Sequence, residues 1–380
     1  MRRTKSDVRI GIPREIKTAE RRVGLTPDYV AELKIHDHDV IVEHDAGVGA
    51  GFTNDEYIKA GASIVANAES VFNEAEMIVK VKELQPIEIA LLQPHHIVFC
   101  YLHLAPDPDQ TNGLLGSGST AIAYESVVGT HGDLPLLTPM SQVAGRMAVY
   151  AAARCLESPS GGSGVLISGV PGVTPARVVV IGGGVVGSNS VEMAVGLGAE
   201  VTVLDRNHAT LQQLDRRFGP AVRTLYSTNA AIVESVCAAD IVIGAVLLRG
   251  AKAPHLVTEE MIKQMRSGSV VVDVSIDQGG CIETSRPTTH MDPTYILHDV
   301  IHYCVANMPG AVPRTSTRAL NNATLPYILQ IANKGLTESM RLDSGLMAGL
   351  SVYDGKITEP AVANAMNASY YSPEEVLSIV

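Results

Sequence analysis

The 380-residue sequence has no tryptophan, 4 phenylalanines and 5 cysteines. Those cysteines (Cys100, Cys155, Cys237, Cys281 and Cys304) are odd in number, far apart and without a Cys-x-x-Cys pair. Neither a disulfide framework nor a thiolate zinc site fits that spacing, and a reducing compartment does. Positive charge is scarce too: 29 Lys and Arg stand against 40 Asp and Glu, a formal net charge of −11. Such a chain repels phosphate backbones and anionic lipid, so neither nucleic acid nor a membrane is an expected partner. No apolar run approaches the roughly 20 residues needed to cross a bilayer. The basic residues 1–5 lead directly into a strand-like run at 8–12, without the apolar stretch and cleavage site of a secretory signal. A soluble, cytoplasmic protein is expected.

What is present is 46% hydrophobic residues and 34 glycines, the profile of an α/β enzyme built from Val, Ile, Leu and Ala with many tight turns. The length exceeds what one hydrophobic core usually supports, so two domains are expected. Strand-like runs fall at 8–12, 40–43, 77–81, 97–101 and 121–124, with helix-start chemistry between them, as at Thr26-Pro27. Ser141 is placed to cap a helix over 143–156 that bridges the two domains. A Gly/Ser/Pro loop at 158–164 follows, and the strand pattern restarts at 178–181, 201–204, 241–243 and 270–272. These later runs are continuously apolar, as strands buried on both faces of a parallel sheet must be. Beyond Arg314 the pattern is helical again, and this last segment is expected to rejoin the first domain.

The strongest motif is Gly182-Gly183-Gly184-Val185-Val186-Gly187, which follows one of these strands and opens a helical stretch. Gly182 permits the tight turn, Gly184 lets backbone approach a pyrophosphate, and Gly187 allows close helix packing. Free NH groups at the helix start then hold the anion. The next strand ends in Asp205, at the distance the dinucleotide fingerprint requires. A carboxylate there accepts from ribose hydroxyls and repels a 2′-phosphate, which favours NAD over NADP, although Arg206 beside it is able to accommodate that phosphate. His95, His96 and His131 carry no pattern beyond a structural one.

Other stretches are more specific in combination. Residues 11–17 (Gly-Ile-Pro-Arg-Glu-Ile-Lys), Glu20-Arg21-Arg22-Val23, Lys80-Val81-Lys82-Glu83 and Tyr101-Leu102-His103-Leu104-Ala105 resemble alanine dehydrogenases. So do Pro139-Met140-Ser141-Gln142-Val143-Ala144-Gly145-Arg146, Ile276-Asp277-Gln278-Gly279-Gly280-Cys281 and Cys304-Val305-Ala306-Asn307-Met308-Pro309. The likeness runs in family order along nearly the whole chain. It implies an L-alanine dehydrogenase that interconverts L-alanine with pyruvate and ammonium, with NAD as hydride acceptor. By the same resemblance Arg22 and Lys82 bind the substrate carboxylate, and His103 and Asp277 are the catalytic acid/base and water-holding groups. The cofactor contacts implied are Ser141, Gly182, Gly184, Gly187, Asp205, Ser227, Val246, Leu247, Asp277, Arg286, Val305, Ala306, Asn307 and Met308, and the assembly implied is a homohexamer. No metal is expected. The run Asp205-Arg206-Asn207-His208-Ala209-Thr210 departs from the family, in which a lysine often follows soon after the ribose aspartate.

Taken chemically, a guanidinium fork and an ammonium fix one 2-oxo acid by its carboxylate. An imidazole exchanges protons near neutral pH. Asp277 is equally placed to cap a turn at Gln278-Gly279-Gly280. The expected architecture is two Rossmann-like α/β domains with doubly wound parallel sheets. A substrate domain would comprise 1–135 and 314–380, and an NAD-binding domain 136–313. Three other readings share this plan: the nucleotide-binding part of a proton-translocating transhydrogenase, a saccharopine-forming dehydrogenase, and a catalytically silent NAD sensor.

Overall fold

The computed structural model describes residues 8–246 and 253–379. The chain divides into two compact units, one of residues 1–140 and 312–380 and the other of residues 141–311. The strands of the first unit are, in chain order, β1 (Arg9–Ile12), β2 (Asp39–Glu43), β3 (Ser63–Val65), β4 (Met77–Val79), β5 (Ile97–Cys100) and β6 (Thr120–Ala123). The second unit carries β7 (Arg177–Ile181), β8 (Glu200–Asp205), β9 (Val222–Tyr226), β10 (Ile241–Gly244), β11 (Val270–Asp273), β12 (Thr294–Leu297) and β13 (Val300–Tyr303). The chain then returns to the first unit with β14 (Leu350–Tyr353) and β15 (Lys356–Ile357).

Each unit is built on one sheet. The order in the first is β15-β14-β6-β5-β4-β1-β2-β3, and in the second β12-β13-β11-β10-β7-β8-β9. All pairings from β3 across to β6 are parallel, as are those from β9 to β13, while β14, β15 and β12 run antiparallel at the edges. Both sheets are therefore doubly wound, with the order reversing beside β1 in one and beside β7 in the other. In such sheets ligands bind beyond the carboxyl ends of the strands near the reversal.

The apolar runs explain the strands. Val178, Val180, Ile241, Ile243, Val270 and Val272 are fully buried and pack on one face, while Val179, Ile181, Val242 and Val271 pack on the other. The first unit shows the same division, with Ile10, Ile12, Met77, Val79 and Phe99 on one face and Ile78, Val98 and Cys100 on the other. Shorter or half-exposed strands carry no such signature, as in β3, β9, β12 and β15, and β13 and β14 lack a continuous apolar run although the first three residues of each are buried.

One boundary is corrected. Ser141 does not cap a helix; it lies in the first turns of a helix that spans Thr138–Cys155. The Thr138 hydroxyl donates to the Leu134 carbonyl at 2.9 Å, and Pro139 needs no amide partner in a first turn, so the helix starts three residues before Ser141. The helix Pro313–Lys334 returns the chain to the first unit and brings buried Asn321 against the loop that carries Arg22. Asn321 accepts from Thr26 N at 2.8 Å and donates to Gly24 O at 2.7 Å. Among the described residues no helix is long and apolar enough to cross a membrane.

Candidate active site

In the second unit the glycine-rich turn sits at the carboxyl end of β7. Gly182 has φ +96°, and a Cβ there would come 2.6 Å from Ala245 O. A Cβ on Gly187 would stand 1.8 Å from Gly182 O, so helix Val185–Gly196 packs as closely as it does only with glycine at that position. A Cβ on Gly184 would meet no atom within 4 Å. Gly184 is also the N-cap of that helix, without a side-chain cap. A 12-residue helix thus opens toward unfilled space with its first amides uncapped, which suits a pyrophosphate.

Asp205 ends β8. Its Oδ2 accepts from Gly183 N at 2.6 Å and its Oδ1 from Asn207 N at 2.7 Å, so the carboxylate is locked against the turn. Ser227, just past β9, donates its amide to Asp205 O at 3.0 Å. Past β10, Val246 exchanges both backbone groups with the Ser275 hydroxyl, at 3.0 and 2.8 Å. Asp277 lies in the 3₁₀ turn Val274–Gln278 after β11, and its Oδ2 is 3.5 Å from Asn307 N. Val305, Ala306, Asn307 and Met308 follow β13, with Asn307 at φ +57°. Arg286 lies 4.2 Å over the Tyr295 ring. Leu247 is outside the described residues. From Gly182 to Met308, then, the predicted cofactor residues that are described cluster at or just past the carboxyl ends of neighbouring strands, apart from Arg286 and the helix-borne Ser141.

The turn holding Asp277 depends on a residue the sequence did not flag. Asp273, fully buried at the end of β11, accepts from Ser275 N at 3.1 Å, Cys281 N at 2.9 Å and Ile282 N at 3.0 Å. Burial pushes its carboxyl upward despite those amides.

In the first unit Arg22, Lys82 and His103 follow β1, β4 and β5. The Arg22 side chain is 1% exposed and meets Glu20 edge-on, with Nε–Oε1 at 2.7 Å and Nη2–Oε2 at 2.5 Å. Burial works against the charge, but the Glu20 carboxylate outweighs it and holds the guanidinium protonated. Glu20 uses the Nε/Nη2 edge of the fork. On the Nη1/Nη2 edge, Nη1 lies 3.0 Å from Met140 Sδ.

His103 is half-exposed and adopts φ +51°, an unusual conformation for a residue with a side chain. Glu125 holds it there: its Oε1 accepts from His103 N at 2.6 Å and stands 3.5 Å from Nδ1, and the same carboxylate accepts from Leu102 N. Tyr101 stacks parallel to the imidazole at 6.0 Å, and its hydroxyl donates to Leu136 O. Behind these, Glu359 accepts from the Ser126 and Ser351 hydroxyls at 3.0 and 2.6 Å, and burial raises its carboxyl. No spacing rule links Glu125 or Glu359 to His103, so neither was legible. His96 proves structural, with its ring fixed between Phe72 O and Gln93 N.

Residues 11–144 match the family model described as the alanine dehydrogenase/PNT N-terminal domain, and residues 148–360 match its C-terminal domain counterpart. The chain belongs to the alanine dehydrogenase/PNT family. A curated alanine dehydrogenase from Halomonas elongata is 54% identical over 363 residues, 96% of this chain and 98% of that one. A solved L-alanine dehydrogenase superposes with a TM-score of 0.92 at 50% identity, covering 94% of this chain and 99% of the other. A transhydrogenase from Sinorhizobium meliloti gives a TM-score of 0.81 at 25% identity, covering 92% of this chain and 99% of its own.

Proposed function

We propose that this chain is an NAD-dependent L-alanine dehydrogenase acting in the cytoplasm as a homohexamer: L-alanine, NAD and water give pyruvate, ammonium, NADH and a proton. The observation that carries the reading is the buried Arg22, kept charged by Glu20. A guanidinium buried and kept charged in this way is suited to anchoring the carboxylate of a small substrate. Near-full-length identity to curated alanine dehydrogenases supports the same conclusion.

In the amination direction Arg22 and Lys82 take the pyruvate carboxylate, the planar fork giving orientation and the ammonium a point charge. Asp277 holds ammonia for attack on the C2 carbon. His103 then protonates the hydroxyl that leaves as water from the carbinolamine. When bound, the nicotinamide would supply the hydride in this direction and accept it in the other. Gly182, Gly184 and Gly187 would hold its pyrophosphate, Asp205 would accept from the adenosine ribose hydroxyls, and Ser141, Ser227, Val246, Arg286 and residues 305–308 would supply further contacts. Asp205 selects NAD, because a 2′-phosphate would face a locked carboxylate.

Absorbance at 340 nm on mixing the protein with NADH, pyruvate and ammonium tests the reading. Ammonium-dependent oxidation that fails with NADPH is expected. NADH binding without turnover of pyruvate, glyoxylate or other 2-oxo acids would instead favour the transhydrogenase-like or sensor reading.

A further inference from the structure

Two residues before Lys82, Lys80 has a fully buried ammonium. Its Nζ lies 3.1 Å from Glu15 Oε2 and 2.8 Å from Glu88 Oε1, and both carboxylates are 2% exposed. One cation thus faces two anions out of water. Burial opposes the charge on Lys80, and the two carboxylates outweigh it; burial also raises Glu15. Sequestering three charges is costly, and an apolar cluster of the same volume often stabilises a fold as well or better. Stability alone therefore gives no account of the arrangement.

Its geometry does. Glu15 uses its second oxygen on the backbone of the next two residues, accepting from Val81 N at 2.6 Å and from Lys82 N at 3.3 Å. Glu88 uses its second oxygen on Gln85 N at 2.8 Å, which caps helix Pro86–Ile89. Between these points Glu83 pairs with the Lys17 ammonium. The segment 80–85 is thus held on both sides of Lys82 by the buried carboxylates of Glu15 and Glu88. Glu125 does the same for His103 one strand away, gripping the amides of residues 102 and 103 just past β5.

We infer that Glu15, Lys80 and Glu88 are positioning residues that fix where the Lys82 ammonium stands, and so set how well a 2-oxo acid carboxylate is held. The inference rests on the reading that Lys82 binds that carboxylate. A side chain displaced by about an ångström from its working position costs on the order of a hundredfold.

The test is a double-mutant cycle on the whole enzyme with Glu15→Gln and Lys82→Met, reading the pyruvate KM, kcat and the NADH dissociation constant. Glu15→Gln is expected to raise the pyruvate KM by about tenfold to a hundredfold and leave NADH binding unchanged. Because Glu15 acts through Lys82, it should add nothing further in the Lys82→Met background. An unchanged KM in Glu15→Gln, or effects that simply multiply, overturns the inference and leaves the function intact. A Lys82→Met enzyme with unchanged pyruvate KM would instead remove Lys82 from the substrate site, and the inference with it. Should Glu15→Gln not fold, the same cycle run with Glu88→Gln, which keeps every Glu15 contact to the backbone, decides in the same way.

Discussion

Arg22 cannot be treated as a lone substrate contact, because it is half of a buried pair. Removing it breaks the buried pair with Glu20, which typically costs roughly 3–5 kcal/mol. Arg22→Ala is therefore expected to lower the urea midpoint as well as weaken pyruvate binding. Arg22→Lys keeps the charge near Glu20 but loses the fork, so the pyruvate KM should rise by about tenfold or more while the protein stays folded. A urea melt and a pyruvate titration separate the two effects. Glu359 offers a second test at this scale. A carboxyl whose folded pKa is raised favours folding below its unfolded pKa and loses that advantage as pH rises through the folded value. Burial raises Glu359, so Glu359→Gln, which is able to bond to the same two hydroxyls, should melt higher than the wild type at pH 8. The gap should close as pH falls below about 4.5. A melting temperature unaffected by pH in both proteins would contradict this.

Among the elements, the turn after β7 divides its glycines by what surrounds them. Gly187→Ala would push a methyl into Gly182 O, where 1.8 Å is available, and should shift the helix or prevent folding. Gly184→Ala meets nothing within 4 Å; it should fold normally and weaken NADH binding, as a fluorescence titration would show. Elements with long apolar runs were legible because burial on both faces leaves a continuous pattern, as at Val178-Val179-Val180-Ile181. β3 leaves no such pattern because it is short and partly exposed, and β9 because it is partly exposed and mixed in polarity. The helix start at Thr138 was misread because Ser141 is the better capping residue by type, whereas Pro139 and the Thr138 hydroxyl decide the matter in three dimensions. Within the site the glycine turn and Asp205 announced themselves by spacing, and Arg22, Lys82 and His103 by resemblance. Their supports, Glu20, Glu15, Glu125 and Asp273, did not: a carboxylate reaching backbone amides on a neighbouring segment leaves no periodic trace.

For the whole molecule the two units differ in how the chain supplies them. Residues 141–311 are contiguous, with cores of their own on both faces of the sheet. Expressed alone, this segment is expected to fold cooperatively and bind NADH, with no oxidation of NADH by pyruvate and ammonium. A fragment that fails to give a thermal transition would show that its stability is borrowed from the rest of the chain. The other unit is assembled from both ends of the sequence, and its Arg22 loop is held by Asn321 and Thr317 on the returning helix.

That discontinuity has a consequence during synthesis. When residue 140 leaves the ribosome, the sheet ends at β6, whose partner β14 has not been made, and the Arg22 loop lacks its Thr317 and Asn321 partners. All 171 residues of the other unit, 141–311, must be translated before residue 312 appears, an interval of roughly 10–30 s at about 5–20 residues per second. The nascent amino-terminal segment thus waits with an open strand edge while the contiguous unit is free to fold first. Translation speed and chaperone supply over that interval would then bear on how much enzyme a cell recovers.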